Sequence, residues 1–165
     1  MTDPYIARIV SYTEGKDPIT MQGETPEILK RLIGGVSEKD LKRSPAPGKW
    51  SVGEILAHLA ESEIVTVWRY RQMIENSGRP LSAYDQEQWA RMGKYASRDP
   101  QDSLRLFNGL RKVNLEMFAR LTRDEWQRFG VHAERGKMTV ETLARHIAGH
   151  DRNHLEQIRK ILGKE

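Results

Sequence analysis

Apolar residues recur along most of this chain at intervals of three and four, and no segment alternates convincingly with the period of two that marks a strand. Ile28, Leu29, Leu32 and Ile33 form one such stripe, with Thr25-Pro26 as a start signal and Gly34-Gly35 as a stop. The stretch from Tyr5 to Val10 is compatible with a short helix or an irregular wrap. A long helix is expected from about Val52 to Glu75. Pro47-Gly48 turns the chain, Ser51 can cap, Glu54 completes a capping box, and Trp50 and Ile55 occupy the positions of a hydrophobic staple. Asn76-Ser77-Gly78-Arg79-Pro80 ends that helix, and a short helix around Gln86 to Met92 is expected in the connection that follows.

Asp99 as cap and Pro100 at the first helical position open a third long helix carrying Leu104, Phe107, Leu110, Leu115 and Phe118. A short turn around Thr122 to Trp126 and a loop through Gly130 and Gly136 lead to a fourth. Thr139 caps it, Met138 and Leu143 are its staple, and it runs through Leu162 to Gly163. Four amphipathic helices without strands predict an all-α four-helix bundle, the kind of fold that builds sites from side chains on facing helices. There is no internal repeat and no low-complexity segment, and residues 1–165 read as one domain.

Composition narrows the function classes. A chain of 165 residues can bury a core without disulfides or a structural metal, so a metal here reads as functional. No apolar run approaches a membrane span, and Thr2, Asp3 and Pro4 stand where a signal peptide would begin, so a cytoplasmic protein with no membrane partner is expected. With Cys 0, any site must use nitrogen and oxygen. The net charge of +4 is mixed along the chain rather than gathered in an arm or patch. Arg105, Arg111, Lys112 and Arg120 are spread along one helix between apolar residues, which reads as a solvated face and not as a nucleic-acid surface.

His150 and His154 are one helical turn apart and can face a single ion from the same side. At about 100° per residue, Val140, Ala144, Ile147, Ile158 and Leu162 define the core stripe of their helix. His154 falls within it and His150 on its edge, whereas His146 lies toward the polar side. The pair reads either as metal ligands or as core histidines bonded to neighbours, since a neutral buried imidazole needs a partner for each nitrogen. His132 lies in the glycine-rich loop, where an ordinary exposed role is expected. His58 lies mid-helix but groups with Glu61, Val65 and Trp68, away from the stripe of Ile55, Leu56, Leu59, Tyr70 and Met73, so the wheel leaves it undecided. Trp68, Tyr70 and Trp89 read as core or dimer-interface aromatics.

The run His150-Asp151-Arg152-Asn153-His154 has the form of the zincin motif, with Asp151 in place of the general-base Glu. That class takes its third ligand well downstream. Only 11 residues follow His154, and none is a histidine, so a metalloprotease is not expected and a third ligand should come from upstream.

The block from Pro47 through Trp50 and Ser51 to His58, followed some 90 residues later by Ala148-Gly149-His150 and His154, resembles the DinB-like (YfiT-type) metal-binding superfamily. The similarity extends through the Leu106–Leu121 helix and the approach to the last helix. The resemblance implies up-down-down-up connectivity, frequent dimers, and a divalent metal held by three histidines, which match His58, His150 and His154 here. Zinc or nickel would be the first expectation for the ion, then iron or manganese. Characterised relatives resemble enzymes that use low-molecular-weight thiols such as bacillithiol or mycothiol. The implied function is a metal-dependent thiol S-transferase, or a related hydrolase or isomerase, acting on an electrophilic small molecule. The other reading is a non-catalytic metal-binding stress-response or binding module on the same scaffold. Glu61, about one turn after His58, is a candidate partner for its other ring nitrogen, and Asp151 a candidate to orient a ligand or accept a proton, or equally a solvated charge; the sequence assigns neither role.

Overall fold

A computed structural model of the chain describes residues 4–164. Its elements in order are α1 (Pro4–Ser11), α2 (Pro18–Ile33), α3 (Glu38–Leu41), α4 (Val52–Glu75), α5 (Gln86–Met92), a 3-10 turn (Tyr95–Ser97), α6 (Pro100–Phe118), α7 (Arg123–Gln127), β1 (Phe129–His132), β2 (Gly136–Thr139) and α8 (Val140–Leu162). The expected capping box forms at the start of α4: Ser51 Oγ accepts from the Glu54 N–H, and Glu54 Oε2 accepts from the Ser51 N–H at 2.8 Å. Asp99 caps α6 through the N–H groups of Gln101 and Asp102, and Thr139 caps α8 through that of Thr142.

The four long helices form a bundle in which α2 packs on α6 and α8, and α4 packs on α6 and α8. Contacts along their lengths give the directions. On α4 and α6, Gly53 lies against Pro100, Glu63 bonds Arg111, and Tyr70 packs on Phe118, so these two helices run parallel. On α2 and α8, Gln22 bonds Ala144, Thr25 bonds Asp151, and Leu32 bonds Lys164 beyond the end of α8, so these also run parallel. The order is up-down-down-up, as the family resemblance implied. Two parallel neighbours cannot be joined by a tight turn, and the chain returns from the end of α4 to the start of α6 through residues 76–99.

Three features differ from the sequence reading. Residues Pro4–Ser11 are helical, which resolves the segment left open. Helix α2 begins at Pro18, capped by Asp17, so Thr25 and Pro26 lie inside it. A mid-helix proline leaves the carbonyl four residues earlier without its donor. That carbonyl belongs to Gln22, and Arg111 Nη1 donates to it at 2.9 Å, so a tertiary contact satisfies the group that Pro26 orphans. The loop through Gly130 and Gly136 is a hairpin, with β1 paired antiparallel to β2 in the register Phe129↔Thr139 and Val131↔Lys137. Segment 78–81 lies beside β1, where the Leu81 N–H donates to the Val131 carbonyl at 2.9 Å. Strands of four residues, each containing a glycine, are too short to give a periodic signal, which is why they escape detection.

The core has two apolar layers separated by a polar one. Leu29, Ile55, Leu56, Phe107, Leu155 and Ile158 belong to one layer, and Tyr70, Met73, Phe118, Val140, Leu143 and Ala144 to the other. Between them on the three helices lie Glu63, Arg111, Asn114 and Asp151, all buried. Helix α1 closes on α8 so tightly that a Cβ on Gly149 would stand 2.2 Å from the Ile9 carbonyl oxygen. Backbone cannot yield that distance as a flexible side chain could. Gly149→Ala is therefore expected to displace α1 and to lower stability by about 1–3 kcal/mol, the range for overpacking. Thermal melts together with proteolysis of the N-terminal segment check this; a variant melting within a degree of the wild type with α1 still protected would refute the close-packing account.

Candidate metal centre

His58 projects from α4 toward α8, where His150 and His154 are stacked one turn apart. The His58 Nε2 and His150 Nε2 atoms are 3.1 Å apart, and His150 Nε2 and His154 Nε2 are 3.2 Å apart. All three rings are buried, and one nitrogen of each lies within 4.8 Å of the other two. The structure thus brings together the three histidines the resemblance singled out. His132 and His146 stay outside this convergence, although both line the cleft beside it.

The protonation of the group follows from its burial. Burial, and after it the charge of His154, lowers the His58 pKa to about 3. Burial lowers that of His154 to about 4, partly opposed by its bond to Gln157. Burial and the two neighbouring imidazoles hold His150 well below its ordinary value. All three are neutral at pH 7, the state in which imidazole can bind a cation. His154 Nδ1 lies 3.0 Å from Gln157 Oε1, an acceptor that assigns the ring proton to Nδ1 and turns the Nε2 lone pair toward the other two rings. Trp50 covers His58, with ring centroids 5.0 Å apart, so the staple residue of α4 also roofs the site.

The donor set fits a metal ion. Zn–N bonds of about 2.0–2.1 Å place two ligand nitrogens roughly 2.9 Å apart at a right angle and roughly 3.4 Å apart at the tetrahedral angle. The observed 3.1 and 3.2 Å lie within that interval. Neutral imidazoles with converging lone pairs repel one another unless a proton or cation lies between them, and one shared proton can serve only one of the two contacts.

The two carboxylates weighed from the sequence have other roles. Glu61 accepts from Arg98 Nη2 at 2.5 Å and from Tyr95 OH at 2.9 Å, so it ties α4 to the 3-10 turn and leaves His58 Nδ1 buried without a hydrogen-bond partner among the described residues. Asp151 is neither solvated nor turned toward the histidines. It accepts from Arg111 at 2.5 and 3.1 Å and from Thr25 at 3.1 Å inside the polar layer. Arg111, read as part of a solvated face, is fully buried; Arg105 and Lys112 are exposed as expected. Burial works against the charged guanidinium, but Asp151 and Glu63 more than offset it and raise the Arg111 pKa. Of the three aromatics, Tyr70 is core, Trp68 is 56% exposed, and Trp89 packs on Tyr84 with centroids 4.9 Å apart.

His150 and His154 form the floor of a cleft of about 440 Å³. Its walls come from α4 (Ser62, Thr66, Arg69), from Tyr84, and from the hairpin turn and α8 (Arg135, His146). Ser62 Oγ lies 3.5 Å from His58 Nε2 and 3.4 Å from Tyr84 OH, a polar path from the histidines into the cleft. The hairpin residues of this wall carried no sequence signal, because their position depends on a strand pairing that the sequence does not announce.

The DinB superfamily is the family whose model matches this chain, over residues 23–158. YfiT of Bacillus subtilis, named as an inferred metal-dependent hydrolase, is 23% identical over 150 residues, covering 90% of this chain and 84% of that protein. A protein of Oceanobacillus iheyensis with the same inferred activity in its name is 22% identical over 134 residues, covering 81% of this chain and 77% of its own length. Among solved structures, that of YfiT superposes with a TM-score of 0.80 at 21% identity, covering 90% of this chain and 87% of the other. The structure of a mycothiol-dependent maleylpyruvate isomerase shares the fold at a TM-score of 0.70 and 12% identity, covering 86% of this chain and 59% of the other.

Proposed function

We propose, on the premise that this chain belongs to the DinB superfamily, that it is a metal-dependent enzyme acting on a small molecule, with a divalent ion held by His58, His150 and His154. The observation that carries the reading is the convergence of three neutral, buried imidazoles, two of which, His150 and His154, line an open cleft. Three protein ligands leave positions for water or substrate. A cation held there supplies the charge that lowers the pKa of an adjacent water or thiol, so that its anion exists near pH 7. Gln157 fixes the tautomer of His154, Trp50 excludes water from His58, and Tyr84 OH is placed to donate to negative charge that develops in the cleft. Zinc or nickel suits three imidazoles best, with iron or manganese next.

The finer reading is transfer of a low-molecular-weight thiol, of the bacillithiol or mycothiol type, to an electrophilic small molecule. The chain has no cysteine, so the sulfur must arrive with a cosubstrate. The thiol-dependent isomerase among the structural neighbours supports this choice, while the relatives' names favour water as the nucleophile at the same position. A non-catalytic metal-binding module would fill the space beside the histidines with side chains, and the cleft favours an enzyme instead. The reading includes a homodimer, supported by Ile64 and Trp68, which stand exposed on the outer face of α4.

The test is elemental analysis of protein purified without an affinity tag, beside His154→Ala. About one equivalent of metal in the wild type, and a small fraction of that in the variant, is the expected result, because the variant loses one of three ligands. Equal metal in both, or none in either, sinks the site. Metal-loaded protein is then offered thiols with an electrophile, and ester or amide substrates with water; thiol consumption supports the transferase, hydrolysis without thiol supports the hydrolase, and neither supports the non-catalytic module.

A further inference from the structure

The same cleft carries, away from the three histidines, a group of basic residues with little acidic counterpart. Arg69 of α4 and Arg135 of the hairpin turn line it together with His132 and His146. Glu134, which is exposed, is the carboxylate among the lining residues. Neither arginine makes an ion pair with a carboxylate among the described residues. Arg69 Nη2 donates to the Ser82 carbonyl at 2.6 Å, its guanidinium lies 5.9 Å over the Tyr84 ring, and its Nε is buried with no hydrogen-bond partner. Arg135 Nη1 donates to His146 Nε2 at 2.8 Å.

These partners hold each guanidinium in place without neutralising it. Burial weakens the hold of Arg69 on its proton; Tyr84 opposes this and the charge of Arg135 adds to it, so the two cations feel one another. Burial, Arg135, His132 and Arg69 together lower the His146 pKa to about 3, which leaves His146 a neutral acceptor that orients Arg135. Two partly buried like charges are unfavourable until an anion lies between them, and a guanidinium presents paired N–H donors that match the two oxygens of a carboxylate.

Position along the helices separates this group from the reacting end. Arg69 follows His58 by eleven residues on α4, three turns plus about 20°, and therefore shares its face. His146, which carries Arg135, is one turn before His150 on α8, a rise of about 6 Å.

We infer that the substrate of this cleft carries a carboxylate held by Arg69 and Arg135, on the order of one helical turn or more from the atom that reacts at His58, His150 and His154. This rests on the reading of the three histidines as the reacting end and adds the substrate class: an organic acid, with its anionic group remote from the reacting bond. The neutral wall of Val65, Leu143 and Ile147 between the two ends suits a short hydrocarbon spacer.

Glutarate serves as the probe, glutaramide as its uncharged counterpart, and inorganic phosphate as a competing anion. Calorimetric titrations use the zinc-loaded and chelator-treated full chain as wild type, Arg135→Gln, and Arg69→Gln/Arg135→Gln. The expected result is saturable glutarate binding in both metal states, at least tenfold weaker for glutaramide and for the double variant. Arg135 lies on an exposed turn, so Arg135→Gln alone, expected to lose several-fold, keeps the test informative should the double variant melt early. No saturable glutarate binding to wild type, equal binding of glutaramide, or equal binding by the variants overturns the proposal, as does arginine-dependent phosphate binding tighter than that of glutarate. Zinc stoichiometry on the same samples reports on the histidines separately: protein that takes up no zinc but keeps arginine-dependent glutarate binding would sink the metal reading and leave the carboxylate site standing.

Discussion

Arg111→Met is expected to lower the free energy of unfolding by about 3–5 kcal/mol, the range for removing one member of a buried ion pair. Arg111 is fully buried and is the cation of a cluster holding two carboxylates, with Glu63 at 2.8 Å and Asp151 at 2.5 Å. Methionine preserves much of the apolar volume, so the loss reports the charge and the hydrogen bonds rather than a cavity. The variant leaves Glu63 and Asp151 facing each other inside the bundle, and it strips the Gln22 carbonyl, already orphaned by Pro26, of its donor. Total stabilities of globular proteins are about 5–15 kcal/mol, so the change takes a large share of what is available. Asn114 still donates to Glu63 and Thr25 to Asp151, which sets the lower end of the range. Urea melts at constant m-value measure the loss. A compensated variant, Glu63→Gln/Arg111→Met/Asp151→Asn, should recover part of it, because no buried charge is then left alone. A loss below about 1 kcal/mol for the single variant would mean that water reaches the cluster, contrary to the packing described.

The second large effect is acid sensitivity of the metal-free protein. Burial, above all, lowers the folded-state pKa values of His58 and His154 to about 3 and about 4, and burial with its two neighbours holds that of His150 well below its ordinary value. In the unfolded chain each returns to about 6.5. A depressed histidine contributes fully above the unfolded value, and that contribution is lost as pH falls below it, because only the unfolded chain then takes up the proton. At pH 5 the loss is about 2 kcal/mol for each such histidine, and as much as roughly 6 kcal/mol for three. His146, also held near 3, acts in the same direction. Melting temperature should be flat from pH 8 to 7 and fall steeply between pH 6.5 and 5. Zinc should shift that fall to lower pH, since a bound cation competes with protons for the same lone pairs. A melting temperature unchanged between pH 7 and 5 in chelator-treated protein would show that the three rings are not held neutral by burial.

How much of the site was legible differs from residue to residue. His150 and His154 could be paired from the chain because they share one helix face, and their stripe is fixed by 3.6-residue periodicity alone. His58 could not be chosen on those grounds, since its wheel position groups it with Val65 and Trp68; the family pattern nominated it, and the crossing of α4 and α8 brings its Nε2 to 3.1 Å from that of His150. The roles of Glu61 and Asp151 were not legible, and for one reason. Each is drawn to an arginine from a distant segment, Arg98 or Arg111, and charge pairing across the fold outweighs closeness along the helix.

Local signals therefore set α4, α6 and α8 in this chain. The cap at Ser51 with its Glu54 box, the Asp99-Pro100 start and the Gly163 stop each involve groups within a few residues, and the helix limits follow from them without reference to the rest of the molecule. Tertiary structure alone decided what those helices carry between them. Pro26 is tolerated within α2 because Arg111 reaches across to the Gln22 carbonyl. A two-stranded hairpin with no periodic signature forms beside segment 78–81 and places Arg135 against His146. The physical reason is range. Backbone capping and apolar periodicity act over one or two turns, whereas ion pairs, orphaned carbonyls and converging imidazoles are satisfied only by groups that the packing of four helices brings together.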